Sequence, residues 1–121
     1  MALVLIVDDS PTQVHALRSA LERHGFEIET AVDGNDGVEK ARRLHPDLIL
    51  MDVIMPNLNG FQATRELARH PETATIPVVI VTTKDEESDR IWGMRQGAVD
   101  YLVKPVSENE LLDTARAALA Q

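Results

Sequence analysis

The chain contains no cysteine. Disulfides, thiolate metal centres and cysteine nucleophiles are excluded on that ground. Basic residues are also few, with twelve Lys and Arg against twenty Asp and Glu and a net charge of −8. A surface of that sign repels polyphosphate backbones, which argues against direct DNA or RNA binding. Long apolar runs are missing too. Apolar residues make up 44% of the 121 residues, but they fall in short blocks, none near the roughly 18 residues of a membrane span. The opening Met1-Ala2-Leu3-Val4-Leu5-Ile6-Val7 lacks a basic leader and runs into Asp8-Asp9, so it reads as a buried strand rather than a signal peptide. Internal repeats, low-complexity tracts and linkers are absent. The expectation is a single domain over residues 1–121, cytoplasmic, with no second domain attached.

What is present is alternation. Strand-length apolar runs at Leu3–Val7, Glu27–Ala31, Leu48–Met51, Val78–Thr82 and Tyr101–Val103 are separated by helix-length amphipathic stretches. Four of the runs are continuously apolar, as strands covered on both faces must be, and Glu27–Ala31 alternates as an edge strand does. The first helix has Ser10-Pro11 at its start, Val14, Leu17 and Leu21 on one face, and an end at Gly25. The second is expected over Gly37–His45 before Pro46. The third is expected over Gly60–His70, with Phe61, Thr64, Leu67 and Ala68 inward. The fourth begins near Asp85-Glu86-Glu87 and stops at Gly97. The last opens on a capping box, Ser107 to Glu110, followed by Leu111, Leu112, Ala115 and Leu119. Such strict alternation predicts an α/β fold with a doubly wound, five-stranded parallel sheet between helical layers.

In a sheet of this kind ligands sit beyond the carboxyl ends of the strands. Asp8 and Asp9 follow the first strand, Asp52 the third, Thr82 ends the fourth, and Lys104 follows the fifth. Each has an ordinary reading alone: helix flank, turn, β-propensity, a lysine beside a proline. Their common placement at one end of successive strands is what calls for explanation. Three converging carboxylates need compensating charge, because two unit charges at about 4 Å repel by roughly 4 kcal/mol at an effective dielectric near 20. A hard cation such as Mg²⁺ and the ammonium of Lys104 would supply it. Acids, a cation site, a lysine and a hydroxyl suit phosphoryl transfer, with Asp52 as the nucleophile.

These segments resemble the receiver domain of two-component response regulators. The resemblance is carried by Leu5-Ile6-Val7-Asp8-Asp9-Ser10, by Leu50-Met51-Asp52-Val53-Ile54-Met55-Pro56 with Asn59-Gly60, by Val81-Thr82, and by Gly97-Ala98 with Asp100-Tyr101-Leu102-Val103-Lys104-Pro105. It covers the whole chain and implies the flavodoxin-like strand order 2-1-3-4-5. With no output domain, the chain is similar to the stand-alone chemotaxis type. Asn59–Arg65 and Ile80–Asp85 are similar to regulators of twitching motility. The resemblance implies that Asp52 accepts a phosphoryl group from a sensor histidine kinase or phosphotransfer protein. It further implies that Asp9, Asp52 and the backbone carbonyl of Ile54 hold Mg²⁺, with Asp8 acting through ordered waters. Lys104 would meet the acyl phosphate and precede a cis peptide to Pro105. Thr82 would swing toward the phosphoryl group and Tyr101 would rotate inward. The face of the fourth helix, fifth strand and fifth helix, with Arg90, Trp92 and Tyr101, would then change its affinity for a downstream protein. The expected protein is a monomeric signalling phosphoacceptor whose only chemistry is its own phosphorylation and dephosphorylation.

Some positions depart from the family's commonest pattern. Thr83 is bulkier than the usual small residue there, Ile54 cannot position a hydrolytic water, Lys84 stands where it could compensate, and Val99 replaces a commonly polar residue. Trp92 reads first as a packing residue, with a partner anchor as the competing reading. His15, His24, His45 and His70 have no ligand spacing and read as exposed or helix-terminal. Met51, Met55 and Met94 read as packing residues. The rival functions are a phosphate sink that drains its kinase, a haloacid-dehalogenase-type phosphatase, a nucleotide binder and an interaction domain that is never phosphorylated. The phosphatase would carry an Asp-x-Asp motif, and the nucleotide binder a Ser/Thr/Gly-rich loop after the first strand.

Overall fold

Continuous Val, Leu and Ile runs have no polar face to show to water, so they pair with one another and are covered on both sides. A computed structural model describing residues 1–120 has this arrangement. Strands β1 (Leu3–Val7), β2 (Glu27–Ala31), β3 (Leu48–Met51), β4 (Val78–Thr82) and β5 (Asp100–Val103) alternate with helices α1 (Pro11–Glu22), α2 (Gly34–Leu44), α3 (Gly60–Arg69), α4 (Glu87–Gln96) and α5 (Glu108–Leu119). All pairings are parallel, in the order β2-β1-β3-β4-β5. The side chains of each strand divide between two layers. Val4, Ile6, Leu50, Val79 and Val81 pack with Leu17, Leu21, Leu111 and Leu112 of α1 and α5. Leu5, Val7, Ile49 and Met51 pack with Val38, Ala41, Ala63 and Leu67 of α2 and α3.

Local chemistry sets the helix ends. Ser10 caps α1 by accepting the Gln13 N–H, with Pro11 in the first helical turn. The helix ends at Glu22, three residues before the expected glycine. The second helix begins at Gly34 rather than Gly37, because the Asp33 carboxylate accepts the Asp36 N–H at 2.8 Å and starts the helix a turn early. Asn59 and Gln62 form a reciprocal capping box on α3. On α5 only half of the expected box exists: Ser107 accepts the Glu110 N–H, and the Glu110 side chain makes no return bond. Gly97, at φ 117°, closes α4 in the left-handed conformation that glycine adopts without strain.

Two expected burials differ. Ala68 is exposed, and Ala63 with Thr64 takes the inward face of α3. Trp92 is 49% exposed and is not a core residue; Ile91 and Met94 share its helix and are exposed as well. The reason is that α4 meets the core through one buried residue, Gly93.

Candidate functional site

Register brings the acids together. Val7 pairs with Met51, so the residues that follow them, Asp8 and Asp52, leave the sheet side by side. The backbone ladder continues one step beyond the strands: the Asp8 N–H donates to Ala31 O at 3.0 Å, and the Asp52 N–H to Val7 O at 2.9 Å. On the other side Thr82 pairs with Val103, and the Lys104 N–H donates to Thr82 O at 2.8 Å. Carboxylate oxygens of Asp8, Asp9 and Asp52 lie within 4.8 Å of one another. Asp8 and Asp52 are buried and Asp9 is exposed.

Lys104 holds the pair of buried acids. Its Nζ is 2.7 Å from Asp8 Oδ2 and 3.9 Å from Asp52 Oδ2, in a setting where all three side chains are nearly dry. Asp8 Oδ1 accepts the Ser10 N–H at 2.9 Å, and Asp52 Oδ1 accepts the Val53 N–H at 2.8 Å. Burial pushes the Asp52 carboxyl above its ordinary range. Lys104 pulls it back down, Asp8 pushes it up, and the Thr82 hydroxyl and Val53 N–H lower it. Among the described residues no buried side-chain polar atom lacks a partner.

The donor chemistry fits a hard divalent cation. Three carboxylate groups at this separation, one of them open to water, offer the oxygen ligands that Mg²⁺ takes while keeping several waters. A cavity of about 610 Å³ opens elsewhere, between Pro77, Gly97 and Val99. Its ionisable lining residues His45, Asp47 and Glu72 are all exposed, so convergent buried polar chemistry belongs to the acid cluster.

The peptide bond between Lys104 and Pro105 is cis, as expected. Ile54 lies beside the acids with its side chain 57% exposed. Thr83 is exposed, and the Lys84 ammonium lies 3.6 Å from Asp89 Oδ1, engaged with α4. Thr82 is fully buried, and its Oγ1 accepts the Lys84 N–H at 3.4 Å. The Tyr101 ring is inside, 3% exposed, with the hydroxyl donating to Lys84 O at 2.8 Å. Arg90 donates to Tyr101 O at 3.1 Å and lies 3.5 Å from Asp100. Among the histidines, His15 is exposed and lines a cavity together with Asp8 and Asp9, His45 is exposed, His24 meets Glu108, and His70 meets Arg42.

Sequence reasoning missed the glycines that let the site close. A Cβ on Gly60 would lie 1.9 Å from the Asp52 carbonyl oxygen, so only glycine lets α3 start against the acceptor strand. Gly93 plays a similar part above Tyr101. A glycine inside a helical pattern, beside an apolar pair, was the available signal.

A family model described as the response regulator receiver domain matches residues 4–116. The chain is 58% identical to the protein PilH of Pseudomonas aeruginosa over 120 residues, which is 99% of each chain. It is 40% identical over 116 residues to the response regulator PleD of Caulobacter vibrioides, and spans 26% of that longer protein. The chemotaxis protein CheY4 of Vibrio cholerae is similar in structure, with a TM-score of 0.91, 33% identity and 98% of each chain covered. The receiver domain of a Pseudomonas aeruginosa sensor histidine kinase, solved with a magnesium ion coordinated in its active site cleft, has a TM-score of 0.92 at 29% identity, covering 99% of this chain and 98% of that one. With its parallel 2-1-3-4-5 sheet and this degree of identity across nearly its whole length, the chain belongs to the response regulator receiver domain family.

Proposed function

We propose that the protein is a phosphorylation-dependent signalling switch in which Asp52 accepts a phosphoryl group from the phosphohistidine of a sensor kinase. One observation carries the reading: three carboxylates gathered within 4.8 Å, compensated by a buried lysine 2.7 Å from Asp8. In the transfer an Asp52 carboxylate oxygen bonds to phosphorus as the phosphorus–nitrogen bond of the donor breaks, and the departing imidazole keeps or takes up a proton. Hydrolysis later returns inorganic phosphate and the free carboxylate. Asp9, Asp52 and the Ile54 carbonyl would hold Mg²⁺, with Asp8 acting through ordered waters, and the ion when bound would supply positive charge beside the phosphoryl oxygens. Lys104 stands 3.9 Å from Asp52 and can exchange its bond to Asp8 for one to a phosphoryl oxygen. Thr82 offers its hydroxyl from the neighbouring strand end.

A shift of such a switch from 1:99 to 99:1 requires about 5.5 kcal/mol of differential interaction. Charge-assisted bonds from Lys104, Thr82 and backbone groups, at roughly 1.5–3 kcal/mol each, are enough. The output face is α4-β5-α5, where Trp92 is 49%, Ile91 47% and Val103 39% exposed. An apolar patch with Arg90 at its edge is suited to a downstream protein. The 58% identity to PilH over 120 residues supports placing this switch in a twitching-motility pathway. Family membership leaves no role for the dehalogenase-type reading.

The test is direct. Incubation with acetyl phosphate and Mg²⁺ should add one phosphoryl mass to the intact protein, and Asp52→Asn should add none. An unmodified wild type under these conditions would leave only an interaction domain.

A further inference from the structure

The loop from Val53 to Asn59 carries Ile54 and has little of its own to hold it in place. Ile54, Pro56 and Asn57 are exposed, and Met55 and Leu58 reach only partly into the core. The N-terminus of α2 closes against this loop. A Cβ at Gly34 would lie 2.2 Å from Leu58 O, 2.9 Å from Leu58 Cβ and 3.0 Å from Leu58 C. The first residue of α2 is therefore seated directly on the loop backbone. Beside that contact the Asp33 carboxylate is used twice. Its Oδ1 accepts the Asp36 N–H and caps the helix, and its Oδ2 accepts from Asn57 Nδ2 at 3.4 Å. Asn57 makes this bond from the left-handed conformation, at φ 66°, which asparagine tolerates better than most residues.

The helix is the fixed partner in this contact. Gly37 brings α2 so close to β1 that a Cβ there would lie 2.9 Å from Val7 Cγ1. Lys40 donates to Thr30 O at 2.6 Å and Asp36 accepts the Val32 N–H at 3.1 Å, which ties the helix to the end of β2. Val38 and Ala41 are in the core. A methyl group on residue 34 would meet backbone, not a side chain that can turn away. The loop would have to retreat by about 1 Å.

We propose that Asp33, Gly34 and Asn57 are positioning residues for the cation site: the N-terminus of α2 latches the Val53–Asn59 loop and so sets where the Ile54 carbonyl stands relative to Asp9 and Asp52. The latch follows from the packing; its effect on Mg²⁺ rests on the phosphoryl-switch reading, in which that carbonyl is a ligand. Mg²⁺ accepts little departure from an octahedron with oxygens at about 2.0–2.1 Å. Replacing groups that orient metal ligands from behind typically costs about 10- to 100-fold in affinity.

Calorimetric titration of the unphosphorylated protein with Mg²⁺ reads the effect without any turnover. Gly34→Ala should raise the Kd about tenfold or more. Alanine is the better helix former, so a merely structural role for Gly34 predicts a firmer α2 and no change in affinity. Asn57→Gly keeps the left-handed conformation and loses only the side-chain bond, and should weaken binding about threefold. Amide exchange in a chelator reads the latch without metal. The Val53, Asn59 and Gly60 N–H groups donate to Asp52 Oδ1, Gln62 Oε1 and Val53 O. They should exchange about threefold faster or more in both variants, while amides of α5, on the opposite face of the sheet, keep the wild-type rate.

Wild-type Mg²⁺ affinity in a folded Gly34→Ala protein overturns the proposal, and so does loop exchange unchanged in both variants. If Gly34→Ala does not fold, Asn57→Gly decides by the same two measurements. A wild type that binds no Mg²⁺ rejects the metal reading and the positioning role with it; faster loop exchange in the variants would then leave the latch standing as packing alone.

Discussion

Replacing Asp52 by asparagine should make the Mg²⁺-free protein more stable. Asp8 repels the Asp52 carboxylate by about 3.5 kcal/mol at an effective dielectric near 20, taking their separation at the 4.8 Å limit. The exposed Asp9 adds about 1 kcal/mol after screening. Lys104, at 3.9 Å, returns about 4 kcal/mol. These terms nearly cancel, so burial of the carboxylate remains uncompensated. Several kcal/mol per buried ion, less the cost of burying an amide, leaves a gain of about 2 kcal/mol for Asp52→Asn. For a chain of this size that is a rise of about 8 °C in Tm. The amide oxygen can keep the bond from the Val53 N–H. Urea and thermal unfolding at pH 7 in a chelator provide the assay. A second observable follows from pH. The Asp52 carboxyl titrates above its ordinary value in the folded state because of burial, so the folded wild type binds the extra proton and gains stability as pH falls. The gap between variant and wild type is therefore widest above the folded value, and closes as pH drops through it toward the ordinary value of an unfolded aspartate. Saturating Mg²⁺ should close it from the other side by stabilising the wild type more than the variant. An Asp52→Asn protein no more stable than wild type in chelator at pH 7 would refute the charge argument.

Lys104→Met should cost about 3–5 kcal/mol in urea unfolding without Mg²⁺, since it strands Asp8 and Asp52 as buried unpaired charges. Adding Asp52→Asn to it should recover part of the loss, and strict additivity of the two changes would contradict a shared charge cluster. Gly60→Ala should lose at least about 3 kcal/mol or fail to fold, because its Cβ would meet the backbone of Asp52 and Val53 rather than a movable side chain; a normal circular-dichroism melt would show that α3 can retreat. Trp92→Ala should change stability by less than about 1 kcal/mol, as befits a half-exposed helix residue. A loss above about 2 kcal/mol would return Trp92 to the core.

Where one interaction dominates, the sequence was readable. Strands β1, β3 and β4 have the expected bounds because an apolar run ends where an acid or hydroxyl meets the crevice, β2 because its alternation marks an edge, and β5 gains only Asp100 through backbone pairing with Val79. Asp8, Asp9, Asp52, Thr82 and Lys104 converge because parallel register transmits position along the chain to position in space. The start of α2 was misplaced for a physical reason. Gly34 reads as a breaker, yet it is glycine because Leu58 lies where a Cβ would go, and the helix passes through it.

The misreading at Trp92 has a physical cause. An apolar residue is assigned to the core when its helix has a recognisable apolar face, and α4 has none: Ile91, Trp92 and Met94 are exposed while glycine faces inward. No periodicity can report a helix that packs through a missing side chain. Apolar surface is thus turned outward on α4 because its contact with the core runs through Gly93. The helix that packs by backbone alone is the one whose outer side chains remain free to meet another protein.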